Sequence, residues 1–155
     1  MKDADLSATN KHPVAWWIFA ASAGMWGLFG LVLAFFHNAS WLSPLMNLLW
    51  GPFIGNGTLP NELSRLLDFV LGILGAVMLS WSVALSCLGW QALHNGRTGA
   101  WWASLATILA WFIIDESFSI LFGVWVNALG NLVLLAGFLV PLALARLHHR
   151  GLNNG

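Results

Sequence analysis

The sequence predicts an all-α integral membrane protein: a bundle of four transmembrane helices with a short interfacial helix in the first outer loop. Three observations carry that prediction. Hydrophobic residues make up 59% of the 155 and charged residues 8%, against about 25% charged in a soluble domain. A soluble chain of this length could not cover its surface with six Lys and Arg and six Asp and Glu. The charges also leave three long gaps: none falls between His12 and Asn61 or between Phe69 and Gly96, and only Asp115 and Glu116 interrupt Thr98 to Ala145. The mean hydropathy of +0.76 agrees. A net charge of zero without a basic patch excludes nucleic acid as a partner. A single Cys87 excludes a disulfide scaffold and the quinone-linked thiol oxidoreductases of four-helix type.

About 20 apolar residues are needed to cross the hydrocarbon. The first span reads as Val14 to Phe36, too long for a signal-peptide core and without a small-x-small cleavage site at its end, hence an uncleaved anchor. The outer loop that follows, Asn38 to Arg65, is long and apolar. Ser43-Pro44 opens a short helix in it and Gly51-Pro52 closes it. That helix is expected to lie in the interface or to fold back as a lid. Two triplets in this loop, Asn38-Ala39-Ser40 and Asn56-Gly57-Thr58, match the glycosylation pattern and carry no weight here. The second span runs from about Leu66 to Leu93.

The last apolar stretch is too long for one helix. A turn at Gly123 divides it into Ala100 to Phe122 and Val124 to Arg146. A rival cut at Asp115-Glu116-Ser117 is open, since Asp and Ser favour caps and turns. One transmembrane domain then covers residues 1–155. Lys2, Lys11, Arg97, Arg146 and Arg150 fall on one side and Arg65 on the other, so both termini are expected in the cytoplasm of a bacterial inner membrane. Trp16, Trp17, Trp90, Trp101 and Trp102 mark the cytoplasmic interface, and Trp41, Trp50 and Trp125 the outer one.

Helices in lipid associate through small residues and polar contacts. Stripes of this kind are Ala20, Gly24, Gly27 and Ala34; Asp68, Gly72, Gly75, Ser82, Ser86 and Gly89; Ala100, Ala103, Thr107 and Ala110; and Gly123, Asn127, Gly130, Gly137 and Pro141. Ser80, Ser82, Ser86 and Thr107 are expected to bond their own backbone.

Asp115 and Glu116 stand out, because a charged group within the membrane costs about 2.5–3.5 kcal/mol on insertion scales. With the turn at Gly123 they lie about two helical turns below the outer surface, with Asn131 level across the hairpin and Asn127 level with Ser119 or Ile120. Asp68 and His37 enter from the same side. Trp26, Trp81 and Trp111 fall near the middle of spans one, two and three. These nine residues, His37, Asp68, Asp115, Glu116, Asn127, Asn131, Trp26, Trp81 and Trp111, are the candidate ligand-binding set: carboxylates and amides above a floor of indoles, suited to an organic cation or a polar-headed hydrophobe. Core packing of the indoles and interhelical bonding of the acids are the structural alternatives. Adjacent helical residues point about 100° apart, so Asp115 and Glu116 cannot both aim at one small site. Under the rival turn both acids sit at the water interface.

No cofactor and no metal are expected. His12, His94, His148 and His149 cluster at the cytoplasmic ends and His37 stands alone outside, whereas haem ligands project into a bundle core. His148-His149-Arg150 is suited to anionic lipid headgroups.

The string Asp115-Glu116-Ser117-Phe118-Ser119, with Gly123, Asn127 and Asn131, resembles the C-terminal hairpin of uncharacterised small four-span bacterial membrane proteins. The resemblance covers the last third of the chain and implies a fold without an activity. Two other families are set aside. The tryptophan-rich sensory proteins are similar in size and Trp content but have five spans and a Pro-Trp-rich pattern missing here. The small multidrug exporters carry an essential Glu in the first span, which is uncharged here.

The leading expectation is a small membrane protein that binds a hydrophobic or amphiphilic small molecule, or a membrane lipid, in an outward-facing pocket, as a homo-oligomer or beside a membrane partner subunit. One alternative is a membrane enzyme using Asp115, Glu116 or His37 for acid–base chemistry on a lipid-soluble substrate. Another is a proton-coupled carrier acting as an oligomer, disfavoured by the lack of internal repeats and of a second buried charge cluster.

Overall fold

The computed structural model describes residues 13–54 and 60–153, with side chains over 14–53 and 60–147. Lys2, Lys11, His12 and the Asn56-Gly57-Thr58 triplet, and the side chains of His148, His149 and Arg150, lie outside the described residues. Helix α1 spans Pro13–Phe36, a 3-10 turn Ser40–Leu42 leads into α2 (Ser43–Ile54), and α3 spans Asn61–Gly89. A π-helical segment, Trp90–His94, extends α3. Helices α4 (Thr98–Leu121) and α5 (Trp125–Asn153) form the C-terminal hairpin. The protein is all-helical, and α1, α3, α4 and α5 are each long and apolar enough to cross a membrane.

The starts of α1 and α3 have local causes. Pro13 opens α1, where a missing N–H costs nothing. Pro60 precedes α3, and its carbonyl accepts the N–H of Ser64 at 3.0 Å. The helix therefore begins at Asn61, earlier than the apolar run that starts near Leu66. Gly51-Pro52 does not close α2, which continues to Ile54 with Pro52 inside it. Proline forfeits one backbone bond there, and the last turn is held by Phe53, whose ring lies 5.5 Å from that of Phe122. The π-helical segment carries no sequence signal that distinguishes it from α-helix. It stacks the His94 ring on Trp90 with centroids 3.8 Å apart.

The four long helices are arranged in the order α3, α1, α5, α4. The α1–α3 seam is the most intimate and the α3–α4 seam the loosest. Glycine explains the first. A Cβ at Gly75 would collide with the Gly30 carbonyl oxygen and with Ala34, and one at Gly27 with Ser82. Without those Cβ atoms the backbones touch, and Ser82 Oγ donates across the seam to the Ala23 carbonyl at 2.5 Å. Only part of each predicted small-residue stripe serves packing. Gly24, Gly72 and Gly130 face open space, and Gly30, absent from the predicted stripe, is at the contact. Ser80 bonds its own helix, to the Ala76 carbonyl, as expected, whereas Ser82, expected to do the same, bonds α1 because the missing Cβ of Gly27 brings the Ala23 carbonyl within its reach.

The core is lopsided. Phe19, Leu85, Ile108, Phe138 and Leu142 are fully buried in the half of the bundle that carries the α3–α4 loop. There Phe19 meets Phe138 edge to face at 5.1 Å, and the Arg146 guanidinium lies over Trp101 at 4.9 Å. The other half is looser, and α2 folds over it. Leu42 and Met46 bury themselves against Leu33 of α1 and Met78 of α3. Helix α2 is thus a roof packed on the bundle.

A polar-walled aromatic cavity beneath α2

The site is built on the α4–α5 turn. Gly123 has φ +70°, a left-handed conformation that glycine adopts without steric cost. The N–H of Val124 donates to the Ser119 carbonyl at 2.8 Å and that of Gly123 to Ile120 at 3.2 Å. This pair of bonds is the Schellman closure, which satisfies the last carbonyls of α4. Of the two cuts open in the sequence, the chain takes the one at Gly123.

So tight a turn sets the register of the hairpin. Asp115 and Ser119 are one turn apart on α4, and Asn127 and Asn131 one turn apart on α5, so the pairs face each other in reverse order. Asn131 Nδ2 donates to Asp115 Oδ2 at 2.7 Å. Asn127 Nδ2 donates to Ser119 Oγ at 2.7 Å and to Asp115 Oδ2 at 3.2 Å. Ser119 Oγ in turn donates to the Asp115 backbone carbonyl at 2.8 Å. Asn131 is only 1% exposed, so its amide is committed to this network. Among the described residues, the side-chain bonds to the Asp115 carboxyl group all end on Oδ2, and Oδ1 takes none.

Glu116 is half-buried and accepts from the same Asn131 Nδ2, at 3.4 Å. Both acids therefore converge on one amide despite the 100° step, but Glu116 is not among the lining residues of the cavity described below.

One turn below Asp115 on α4 is Trp111. Its ring centroid lies 5.0 Å from Trp26 of α1 and 5.4 Å from Trp81 of α3, and those two are 6.0 Å apart. The planes are inclined by 66°, 49° and 69° respectively, so the rings form a corner and not a stack. Above them a cavity of about 460 Å³ opens between α1, α3 and α4. Asp115, Ser119 and Asn127 make its polar wall, and Leu49, Trp50 and Phe53 of α2 its roof. Leu74, Val77 and Phe118, which line its flank on α3 and α4, are exposed outward as well. The loose α3–α4 seam therefore opens the cavity sideways. A second cavity of about 410 Å³ lies on the other side of α1, between Met25, Leu45, Gly130 and Asn131. Trp26, Phe29, Leu49 and Asn127 line both. Among the described residues no Lys, Arg or His lines either one.

The remaining candidates sit apart. His37 Nε2 lies 2.8 Å from Asp68 Oδ1, and His37 Nδ1 lies 2.9 Å from the Leu33 carbonyl. Asn38 Nδ2 donates to the same Asp68 oxygen at 3.3 Å. This cluster clips the end of α1 to α3 at the rim, with His37 12% and Asp68 44% exposed, and does not line the cavity. The polar residues thus form two groups, one at the rim and one inside. Ser119 and the roof residues of α2 complete the inner group. The sequence signal for Ser119 was its level with Asn127, and for the roof the Ser43-Pro44 start in an apolar loop.

Comparison with family models, with curated proteins and with solved structures finds no match to this chain.

Proposed function

We propose that this chain is a bacterial inner-membrane protein, with both termini cytoplasmic, that binds a hydrophobic or amphiphilic small molecule or lipid in the cavity beneath α2. The observation that carries the reading is the composition of that cavity: three indoles as floor, one wall of hydrogen-bonding side chains, and a flank open between α3 and α4.

The physical argument is one of selectivity. Moving an alkyl tail from bilayer to an apolar cavity gains little, since lipid tails are as apolar as Leu. Discrimination must come from the polar head and from shaped aromatic contact. A head placed against Asp115, Ser119 and Asn127 finds hydrogen-bond acceptors, since the wall's own donors are spent within it, while the tail lies over the Trp floor or leaves through the seam. A molecule dissolved in the leaflet that holds α2 enters from the side and never crosses water.

Binding of twelve-carbon amphiphiles with neutral or charged heads, measured on the protein in lipid nanodiscs, tests this. The expected result is saturable uptake of at least one of them at one site per chain, abolished by Val77→Trp, which fills the flank. Uptake that never saturates for any head, or that Val77→Trp leaves unaltered, contradicts the reading.

A further inference from the structure

Resting on that reading, we infer that the cavity selects an amphiphile with a monocationic ammonium head, seated on Asp115 Oδ1 beside the indole floor. Three features of the site converge on this charge.

The first is how Asp115 is held. Two amide N–H groups, from Asn127 and Asn131, both donate to Oδ2. Both donors on one oxygen fix the plane of the carboxyl group. The other oxygen is left without a protein donor, on a side chain that lines the cavity. The second feature is the missing counter-charge. No Lys, Arg or His lines the cavity among the described residues, so the chain supplies no cation to this carboxylate there. An ion in hydrocarbon is costly unless paired. A ligand that brings a positive charge removes that cost, and one that brings a negative charge doubles it.

The third feature is the floor. Trp111 is one helical turn from Asp115, which places their Cβ atoms about 5–6 Å apart. A cation is attracted to an aromatic face within about 6 Å of its centroid, best of all to Trp and more strongly when desolvated. A head on Oδ1 is therefore within reach of the corner formed by Trp26, Trp81 and Trp111. Substituted ammonium fits better than a bare one, because its methyl groups are at ease among rings and need no hydrogen-bond acceptors. A zwitterionic lipid head carries the same ammonium but adds a phosphate, for which the lining offers no cation. The assignment is therefore to a lipophilic amine or quaternary ammonium, and not to a phospholipid.

The test uses three probes with one tail: dodecyltrimethylammonium, dodecylphosphocholine and dodecanol, titrated into the whole protein in nanodiscs. The expected result is binding of dodecyltrimethylammonium about tenfold or more tighter than of either other probe. In Asp115→Asn, which keeps the shape and one hydrogen-bonding oxygen, that preference disappears. Equal or tighter binding of dodecylphosphocholine or dodecanol overturns the inference and leaves the cavity reading standing. A preference for the cation that survives in Asp115→Asn overturns the assignment to Asp115. If none of the probes saturates, both the inference and the cavity reading fall. The ranking of probes in the unaltered chain decides the charge preference even if Asp115→Asn does not fold.

Discussion

Gly75 shows what one atom decides in this molecule. Its missing Cβ lets α3 rest on the Gly30 carbonyl and Ala34 of α1. Gly75→Val is expected to destabilise the protein by about 1–3 kcal/mol, as overpacking of a filled contact does. Gly24→Ala and Gly72→Ala, which meet nothing within 4 Å, should be neutral. Thermal unfolding in one detergent for all three variants checks the contrast, and equal losses at Gly24 and Gly75 would deny that the α1–α3 seam is a backbone contact. The same residues mark how far single positions are legible. A stripe of glycines gives the helical period but leaves open which edge of the stripe touches a neighbour, so Gly24 and Gly30 exchanged roles. Asp115 was easier to read, because a charge within an apolar run has few places to go. That it reaches Asn131 follows by counting once the turn is placed; that Glu116 reaches the same Asn131 Nδ2, at 3.4 Å, does not follow from the helical step.

At the scale of elements, the α4–α5 hairpin determines the site. The Gly123 turn was visible as the midpoint of an overlong apolar run, and the register of Asp115 with Asn131 follows from it by counting. The end of α2 was not visible: Gly51-Pro52 is a strong local stop, and only the tertiary contact of Phe53 with Phe122 carries the helix through it. The π-helical segment was likewise beyond reach, since its composition suits either helix. Labelling with a membrane-impermeant thiol reagent tests the hairpin and its orientation together. In a Cys87→Ala background, Trp125→Cys, at the turn, should label readily from the periplasmic side. Ser117→Cys, whose native hydroxyl bonds the Ile113 carbonyl one turn down α4, should label poorly. Strong labelling at Ser117 with none at Trp125 would move the acids to the water interface. Labelling of Trp125 only from the cytoplasmic side would invert the proposed orientation.

For the whole molecule, composition and charge spacing were enough to foresee four spanning helices, and no property of the sequence foresaw their neighbours. The order α3, α1, α5, α4 and the looseness of the α3–α4 seam arise from how side-chain volumes meet, which periodicity does not encode. The division into a filled half and a hollow, roofed half arises in the same way. So does the separation of His37 and Asp68 from the inner group, since the sequence placed all of them in the outer half of the bilayer without their angular positions. The central claim is that the hollow half is a binding cavity entered between α3 and α4. Photolabelling with a diazirine-bearing twelve-carbon amphiphile in nanodiscs, followed by peptide mapping, tests it most directly. The account predicts labels on Leu74, Trp81, Trp111 and Phe118 that disappear with excess unlabelled amphiphile. Labels spread evenly over the outward-facing Val83, Leu129 and Leu144, and indifferent to competitor, would contradict it.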